Sequence, residues 1–214
     1  GSNCTAEAIE YSVHAEKAGV DGLLQVSPYY NKPTQKGLFE HFTAIANAVN
    51  IPIILYNIAG RCGVNIETET VVKLAEHQNI IAVKEASGNL DQMRDVLART
   101  PDDFLVFSGD DGLTLELAKM GGNGVISVIS NILPSETKQF VDFCLNGEYE
   151  AAQKMQEKFE PLFRDLFIET NPEPIKTLMA EEGFCKEVFR LPITTMLPEN
   201  KVTLLKTWNE YKNN

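Results

Sequence analysis

Two polar side chains of this 214-residue sequence follow short apolar runs and could act together in covalent chemistry. Lys84 follows the run 80–83, and Tyr56 lies near the end of the run 52–58. An ammonium among apolar side chains loses stability relative to the neutral amine, which is the form that attacks a carbonyl. A phenol beside it can pass protons while the adduct forms and loses water. The pair predicts Schiff-base chemistry, although a lone lysine or tyrosine at a strand end is more commonly solvated or packed.

Arg61 offers a site for a carboxylate. It lies five residues after Tyr56, in the glycine-rich turn 59–63. A guanidinium is planar and always charged, and it can hold a carboxylate through two parallel hydrogen bonds. We therefore predict that Arg61 receives a substrate carboxylate, the alternative being an ordinary surface arginine.

Five short β-rich runs must position these residues. They span 22–27, 52–58, 80–86, 104–109 and 124–130, and helical patterns lie at 6–18, 37–49, 67–77, 90–99 and 112–120. Strict alternation of strand and helix predicts a parallel sheet, and unalternating apolar strands are typical of burial on both faces. Reactive groups in a barrel of such units come from the carboxyl ends of the strands, where Lys84 and Tyr56 lie.

The pattern changes after residue 145. A helix is predicted at 134–145, and the segments 148–168, 174–181 and 200–211 are helical without intervening strands. We predict an α/β fold in two parts: a partial (β/α)8 barrel over residues 1–145, which carries the active site, and a C-terminal helical region over residues 146–214. No GxGxxG loop or P-loop follows a strand, and Gly-Gly-Asn-Gly at 121–124 precedes one, which disfavours a nucleotide-binding fold.

Composition excludes several function classes. The net charge of −11 and the lack of basic runs argue against nucleic acid as a partner. No apolar run approaches the roughly 20 residues of a membrane span, and the N-terminus shows no secretory signal, so we expect a cytoplasmic protein. The four cysteines and three histidines lack metal-ligand spacing, so we expect reduced thiols and no metal.

Five motifs together resemble the dihydrodipicolinate synthase family of pyruvate-dependent class I aldolases. They are Gln-Val-Ser-Pro-Tyr-Tyr-Asn-Lys-Pro-Thr at 25–34, Leu-Tyr-Asn-Ile-Ala-Gly-Arg-Cys-Gly at 55–63, Ala-Val-Lys-Glu-Ala-Ser-Gly at 82–88, Phe-Ser-Gly-Asp-Asp at 107–111 and Gly-Gly-Asn-Gly-Val-Ile-Ser-Val at 121–128. Their order and spacing match the family over the whole chain. The resemblance implies a (β/α)8 TIM barrel and a lyase that needs no cofactor beyond its covalent imine with pyruvate.

The resemblance also implies roles for three catalytic residues. Lys84 matches the lysine that forms the imine with pyruvate. Tyr56 matches the tyrosine that relays protons to it and contacts the substrate carboxylate. Tyr30 matches the tyrosine that reaches across a tight dimer interface into the neighbouring active site, so a homodimer or homotetramer is expected.

Further positions match binding sites of the family. Arg61 matches the arginine that receives the carboxylate of the second substrate, aspartate semialdehyde, while Gly109 and Ile126 match residues lining the pyruvate pocket. The resemblance places a site for feedback inhibition by lysine at the dimer interface, formed by Asn3, Glu7 and Tyr29.

The sequence departs from the family in two places. Ala59 stands where the family usually has proline, so the loop with Arg61 is expected to be less rigid. The resemblance places the first residues near the end of the family's third barrel strand, so the first two strand-helix units, with the adjacent threonines of the proton relay, are expected to be absent. Two alternatives therefore stay open: a sister aldolase, such as N-acetylneuraminate lyase or a 2-keto-3-deoxy sugar aldolase, and an inactive fragment. Arg61 favours the synthase over the sister enzymes.

Overall fold

The structure, a computed structural model, describes residues 1–213 and contains one parallel sheet of five strands in the order β1-β2-β3-β4-β5. The strands are β1 (Leu23–Val26), β2 (Ile53–Asn57), β3 (Ile80–Glu85), β4 (Leu105–Ser108) and β5 (Gly124–Val125). All four strand pairs are parallel, as the alternation of elements predicts. Each of the five predicted runs contains one of these strands.

Six helices precede or connect the strands: α1 (Thr5–Lys17), α2 (Gln35–Ala46), α3 (Ala59–Cys62), α4 (Thr68–Ala75), α5 (Leu90–Arg99) and α6 (Thr114–Lys119). Their ends follow local chemistry. The Thr34 hydroxyl accepts a hydrogen bond from the Gly37 N–H at the start of α2, and the Asn89 amide oxygen accepts from the Asp91 and Gln92 N–H groups at the start of α5.

Residue contacts divide the chain into two compact units. The first comprises residues 1–110 and 116–126, and the second comprises 111–115 and 127–214. The predicted boundary after residue 145 separates parts that would fold independently, which a division by residue contacts does not test, so it stays a prediction.

The first unit buries its core between the sheet and one layer of helices. Fully buried side chains include Phe42 of α2, Leu74 of α4 and Met93 of α5, together with Leu55 and Val83 of the sheet. Burial of each such side chain stabilises the fold by about 1.5–3 kcal/mol.

The other face of the sheet, opposite to the packed helices, is less buried. Its residues of intermediate or greater exposure are Leu24, Val26, Ile54, Tyr56, Lys84, Leu105 and Phe107. The expectation that the strands are buried on both faces is therefore wrong for this face of the part described, because the packed helices lie against the other face. The active-site candidates Tyr56 and Lys84 lie on the less covered face.

The second unit is helical: α7 (Pro134–Leu145), α8 (Tyr149–Asp165), α9 (Glu173–Glu181) and α10 (Pro198–Asn213). Buried aromatic side chains of α7, α8 and α10 form its core, among them Phe140, Phe159 and Trp208. The Asp165 carboxylate at the end of α8 accepts a hydrogen bond of 2.6 Å from Thr207 of α10. None of the helices in residues 1–213 combines the length and apolar character that a membrane crossing requires.

Two predicted elements differ from the structure. The run 124–130 is a strand only at Gly124–Val125, and a turn of 3-10 helix follows at Ile129–Asn131. The glycine-rich turn 59–63 contains the short helix α3, which ends at Gly63 in the left-handed conformation with a φ of 74°. Glycine adopts this conformation at little cost, which explains why α3 ends there.

Candidate active site

The strand register brings the two predicted reactive residues together. Tyr56 of β2 and Lys84 of β3 are paired positions at the carboxyl ends of neighbouring strands. The Lys84 Nζ atom lies 4.2 Å from the centroid of the Tyr56 ring. A cation over an aromatic face is attracted by the ring quadrupole, so the tyrosine holds the lysine in place.

Gly109 leaves the space that the Lys84 side chain occupies. A Cβ atom built on Gly109 would lie 3.1 Å from the Lys84 Cε and 2.6 Å from the Ala86 Cβ. The Gly109 N–H donates to the Glu85 carbonyl at 2.8 Å, so its backbone is fixed against β3. Ile126 follows β5, and its N–H donates to the Ser108 carbonyl at 2.9 Å, one residue before Gly109. The predicted pocket residues thus lie on consecutive strand ends, with Gly109 next to Lys84 and Ile126 one strand farther along the sheet.

Arg61 lies in α3, directly after the end of β2, and its side chain is exposed. Burial raises the pKa of the Tyr56 phenol above its usual value, and the nearby Arg61 charge lowers it in part. Burial likewise raises the pKa of the Cys62 thiol, and the Arg61 charge lowers it in part. Tyr56 is therefore a neutral phenol within electrostatic reach of a permanent positive charge.

Tyr30 is the most exposed large apolar or aromatic side chain among the described residues, with 89% of its surface accessible. Its backbone φ is 74°, a left-handed conformation that costs a non-glycine residue energy. Its N–H donates to the Cys62 carbonyl at 3.3 Å, which joins its loop to α3 beside Arg61. The side chain itself extends into solvent, away from any packed surface of the first unit.

The three residues matched to a lysine site lie near one another at the start of the chain. The Asn3 side-chain amide donates to the Tyr29 carbonyl at 3.1 Å, and the Asn31 amide donates to the Asn3 carbonyl at 2.9 Å. Glu7 joins them through Ser2, whose hydroxyl donates to the Glu7 carboxylate at 2.7 Å. Asn3 and Tyr29 are thus hydrogen-bonded directly, while Glu7 is connected to them only through Ser2, the neighbour of Asn3 in the chain.

The sequence-based site omitted a buried polar group behind the reactive pair. Asn57 and Glu85 immediately follow Tyr56 and Lys84, are fully buried, and are hydrogen-bonded to each other at 2.9 Å. Polar residues in an otherwise apolar strand, one position beyond each reactive residue, were the signal that could have identified them. Side chains alternate along a strand, so these two point to the helix-covered face.

This arrangement can support covalent chemistry on a small carbonyl compound. A primary amine lies over the ring of a protonated phenol, a glycine leaves room for the lysine side chain, and a guanidinium stands at the next turn. These are the parts needed to form an imine, shuttle its protons and hold an anionic substrate.

Comparison with known proteins agrees with this chemistry. The model of the Dihydrodipicolinate synthetase family matches residues 1–210. The 4-hydroxy-tetrahydrodipicolinate synthase of Leptospira biflexa serovar Patoc is 51% identical over 196 residues, covering 92% of this chain and 67% of that protein.

Solved structures agree as well. The 4-hydroxy-tetrahydrodipicolinate synthase from Methylacidiphilum fumariolicum SolV has a TM-score of 0.97 and 47% identity, covering 100% of this chain and 71% of that chain. A dihydrodipicolinate synthase from Cyanidioschyzon merolae with lysine bound has a TM-score of 0.96 and 43% identity, covering 99% and 72%. The predicted resemblance and the (β/α)8 fold class are confirmed.

Proposed function

The chain belongs to the dihydrodipicolinate synthetase family, and from that premise we propose that it condenses pyruvate with L-aspartate 4-semialdehyde to 4-hydroxy-tetrahydrodipicolinate. This is a lyase-type step of lysine biosynthesis through diaminopimelate. The observation that carries the proposal for the site is the Lys84 Nζ, 4.2 Å from the Tyr56 ring centroid at paired strand ends.

Lys84 is the nucleophile of the proposed reaction. Its neutral Nζ attacks C2 of pyruvate, a C–N bond forms, and the former carbonyl oxygen leaves as water, which yields an imine. The imine draws electrons from C3, so loss of a C3 proton gives an enamine whose C3 attacks the aldehyde carbon of the second substrate. Attack of that substrate's own amine on the imine carbon closes the ring and releases Lys84.

Tyr56 is the proton carrier in this scheme. Burial raises the pKa of its phenol, so the proton is present near neutral pH. The phenol can protonate the hydroxyl that departs as water and recover a proton afterwards. Its ring also packs against the Lys84 Nζ, which lies 4.2 Å from the ring centroid.

Arg61 and the pocket residues select the substrates. The exposed guanidinium in α3 is suited to the carboxylate of aspartate semialdehyde. Gly109 and Ile126 line the proposed space for pyruvate, and the missing side chain of Gly109 leaves room for Lys84. The covalent imine supplies the electron sink, so we propose that no cofactor takes part.

Tyr30 completes the site of a second subunit in the proposed assembly. An aromatic side chain 89% exposed on a strained backbone is costly unless it has a partner, which supports an interface in a homodimer or homotetramer. Asn3, Glu7 and Tyr29 form the proposed site for lysine as an allosteric inhibitor. A relative 43% identical has been solved with lysine bound, which supports this part. We further propose a cytoplasmic location.

Borohydride trapping tests the proposed function. Incubation of the protein with pyruvate and then borohydride should add the mass of one reduced pyruvate, and peptide mapping should locate it at Lys84. The variant Lys84→Met should give no adduct, while Lys119→Met should give as much as the wild type, because Lys119 lies on α6 in an ion pair with Glu116.

Two results would overturn the proposal. An adduct at Lys32 or Lys119, with Lys84 unmodified, would place the chemistry elsewhere. Trapping at Lys84 combined with no turnover of aspartate semialdehyde, and with turnover of a sugar-derived aldehyde, would identify a sister aldolase.

A further inference from the structure

Four buried or half-buried polar side chains behind the reactive pair form one hydrogen-bonded group, which we call the strand-end cluster: Asn57, Asn65, Glu85 and Gln92. The Asn57 amide donates to both oxygens of Glu85, at 2.9 and 3.2 Å, and to the Asn65 side-chain oxygen at 2.8 Å. Gln92 of α5 donates to Glu85 at 3.1 Å and accepts from the Asn65 amide at 2.7 Å. The cluster thus joins the ends of β2 and β3 to the loop after α3 and to α5.

Hydrogen bonding fixes the orientation of each amide in the cluster. The Asn57 oxygen accepts from the Ile66 N–H at 2.9 Å, so its NH₂ group must face Glu85. The Gln92 nitrogen faces three acceptors, the Glu85 carboxylate, the Ile66 carbonyl at 3.1 Å and the Asn65 side-chain oxygen at 3.3 Å, so it cannot be exchanged with the oxygen. A network whose members have one consistent arrangement is rigid.

Glu85 is the centre of this network. Its side chain is fully buried, and its oxygens accept from Asn57, from Gln92 and from the Ser87 N–H at 2.7 Å. A buried carboxyl group is stable only when hydrogen bonds replace its hydration. The hydrogen bonds therefore fix both Glu85 and the groups that donate to it.

The position of the cluster connects it to the reaction. Asn57 and Glu85 are paired in the register, one position beyond the pair Tyr56 and Lys84. Successive side chains point to opposite faces of the sheet. Rotation or slippage of either strand end would therefore displace Tyr56 or Lys84 together with the neighbouring Asn57 or Glu85. The Glu85 carbonyl also accepts from the Gly109 N–H, which fixes the glycine beside Lys84.

We propose that Glu85, through Asn57 and Gln92, is a positioning residue for imine formation at Lys84. The proposal rests on the proposed function, since it takes Lys84 as the nucleophile. Glu85 lies on the sheet face opposite to Lys84 and touches no substrate. It acts by fixing the geometry in which Lys84 approaches the carbonyl and Tyr56 supplies the proton.

The variant Glu85→Gln tests this inference with little change in volume. Either orientation of the new amide turns an NH₂ group toward an N–H donor, because both Glu85 oxygens accept hydrogen bonds. Gln92→Ala is a milder second variant that removes one donor and keeps Glu85. If Glu85→Gln does not fold, Gln92→Ala decides the question.

The measurement is the time course of imine formation at saturating pyruvate, stopped with borohydride and followed by intact mass. The amplitude reports the fraction of folded protein, whereas the rate constant reports the geometry of the folded site. We expect Glu85→Gln to lower the rate constant by at least about tenfold, and Gln92→Ala by less, since small misplacements of reacting groups have large effects.

Asn79→Ala is the matched control. Its amide donates to the Ala46 and Val49 carbonyls at 3.1 and 2.7 Å, immediately before the other end of β3. It should lower stability in a similar way but leave the rate constant within about twofold of the wild type.

Three outcomes overturn one proposal or both. Wild-type rate constants in both Glu85→Gln and Gln92→Ala, with normal trapping of the wild type, would refute the positioning role alone. An equal slowing in Asn79→Ala would reduce the effect to general destabilisation and would also refute it. Absence of trapping in the wild type would instead refute the proposed function on which the inference rests.

Discussion

Substitution of Gly109 by alanine places one methyl group against the side chains of Lys84 and Ala86. The new Cβ would lie 2.6 Å from the Ala86 Cβ and 3.1 Å from the Lys84 Cε. The Lys84 chain end can move by rotation, but Ala86 is attached directly to backbone that is hydrogen-bonded to Asn57 at 2.8 Å. The distance to Ala86 must open by about 0.8 Å to reach ordinary contact at 3.4 Å.

Two effects of different size follow from this displacement. Overpacking of a methyl group in a tight site costs about 1–3 kcal/mol of folding free energy. A shift approaching 1 Å in a reacting group can slow the reaction by about a hundredfold. We therefore expect Gly109→Ala to remain folded, with a lowered melting temperature, and to form the imine roughly tenfold to a hundredfold more slowly.

Three variants separate the two effects in trapping and thermal unfolding. Gly60→Ala is the control for glycine replacement, because a Cβ on Gly60 meets nothing within 4 Å. The double variant Gly109→Ala/Ala86→Gly removes the closest clash, so it should recover stability while the contact with Lys84 keeps imine formation slow. A wild-type rate constant in Gly109→Ala itself would refute the argument that this glycine makes room for Lys84.

The remaining predictions concern substrate selection, inhibition and assembly. Arg61→Ala should weaken use of aspartate semialdehyde by about 2–4 kcal/mol of transition-state stabilisation while pyruvate trapping is unchanged, and equal loss of both would indicate a structural arginine. Glu7→Ala should raise the lysine concentration needed for inhibition, and unchanged inhibition would show that the assigned site is wrong. The 214 residues expressed alone should self-associate in sedimentation, because within residues 1–213 β1 and β5 each pair with one neighbour only and leave a free edge. They should also turn over at least about 100-fold more slowly than the Leptospira relative, since proton transfer needs a closed site, and a fully active monomer would contradict this.

The strands and helices could be predicted because their patterns are local. The helix predicted at 90–99 is α5, Leu90–Arg99, where a capping Asn89 and regular apolar spacing define both ends. The predicted run 80–86 contains β3, Ile80–Glu85, whose apolar and β-branched residues favour a strand. The parallel arrangement then follows from the alternation of these elements.

The shortening of the last strand could not be predicted because its cause is tertiary. The segment 124–130 is rich in valine and isoleucine, which favour a strand throughout. In the structure the Asp111 carboxylate accepts hydrogen bonds from the Val128 and Ile129 N–H groups at 2.8 and 3.0 Å. This acidic cap starts a helical turn at Ile129–Asn131, and no local pattern in the segment reveals it.

The candidate site was predictable to the extent that it lies at strand ends. Lys84 and Tyr56 were chosen because they follow apolar runs, and the register places them side by side. The role of Gly109 as open space for Lys84 could not be derived from sequence alone, because it depends on the distance between two strands. The strand-end cluster was missed because its residues come from four separate segments that meet only in the folded chain.

One property of strands explains why reactive and structural residues alternate here. Successive side chains point to opposite faces, so Tyr56 and Lys84 face the open side while Asn57 and Glu85 face the helices. The pairing of β2 with β3 is irregular at its start, between Ile53 and Ile54, so register there does not by itself fix the far end. The hydrogen bonds between Asn57 and Glu85 fix the register at the carboxyl ends of the two strands. A shift by one residue would turn the Glu85 carboxylate toward the open face and the Lys84 amine toward the helices. Burial of the Glu85 carboxylate among hydrogen-bond donors opposes such an exchange, in line with the proposed role of Glu85 in keeping Lys84 on the open face.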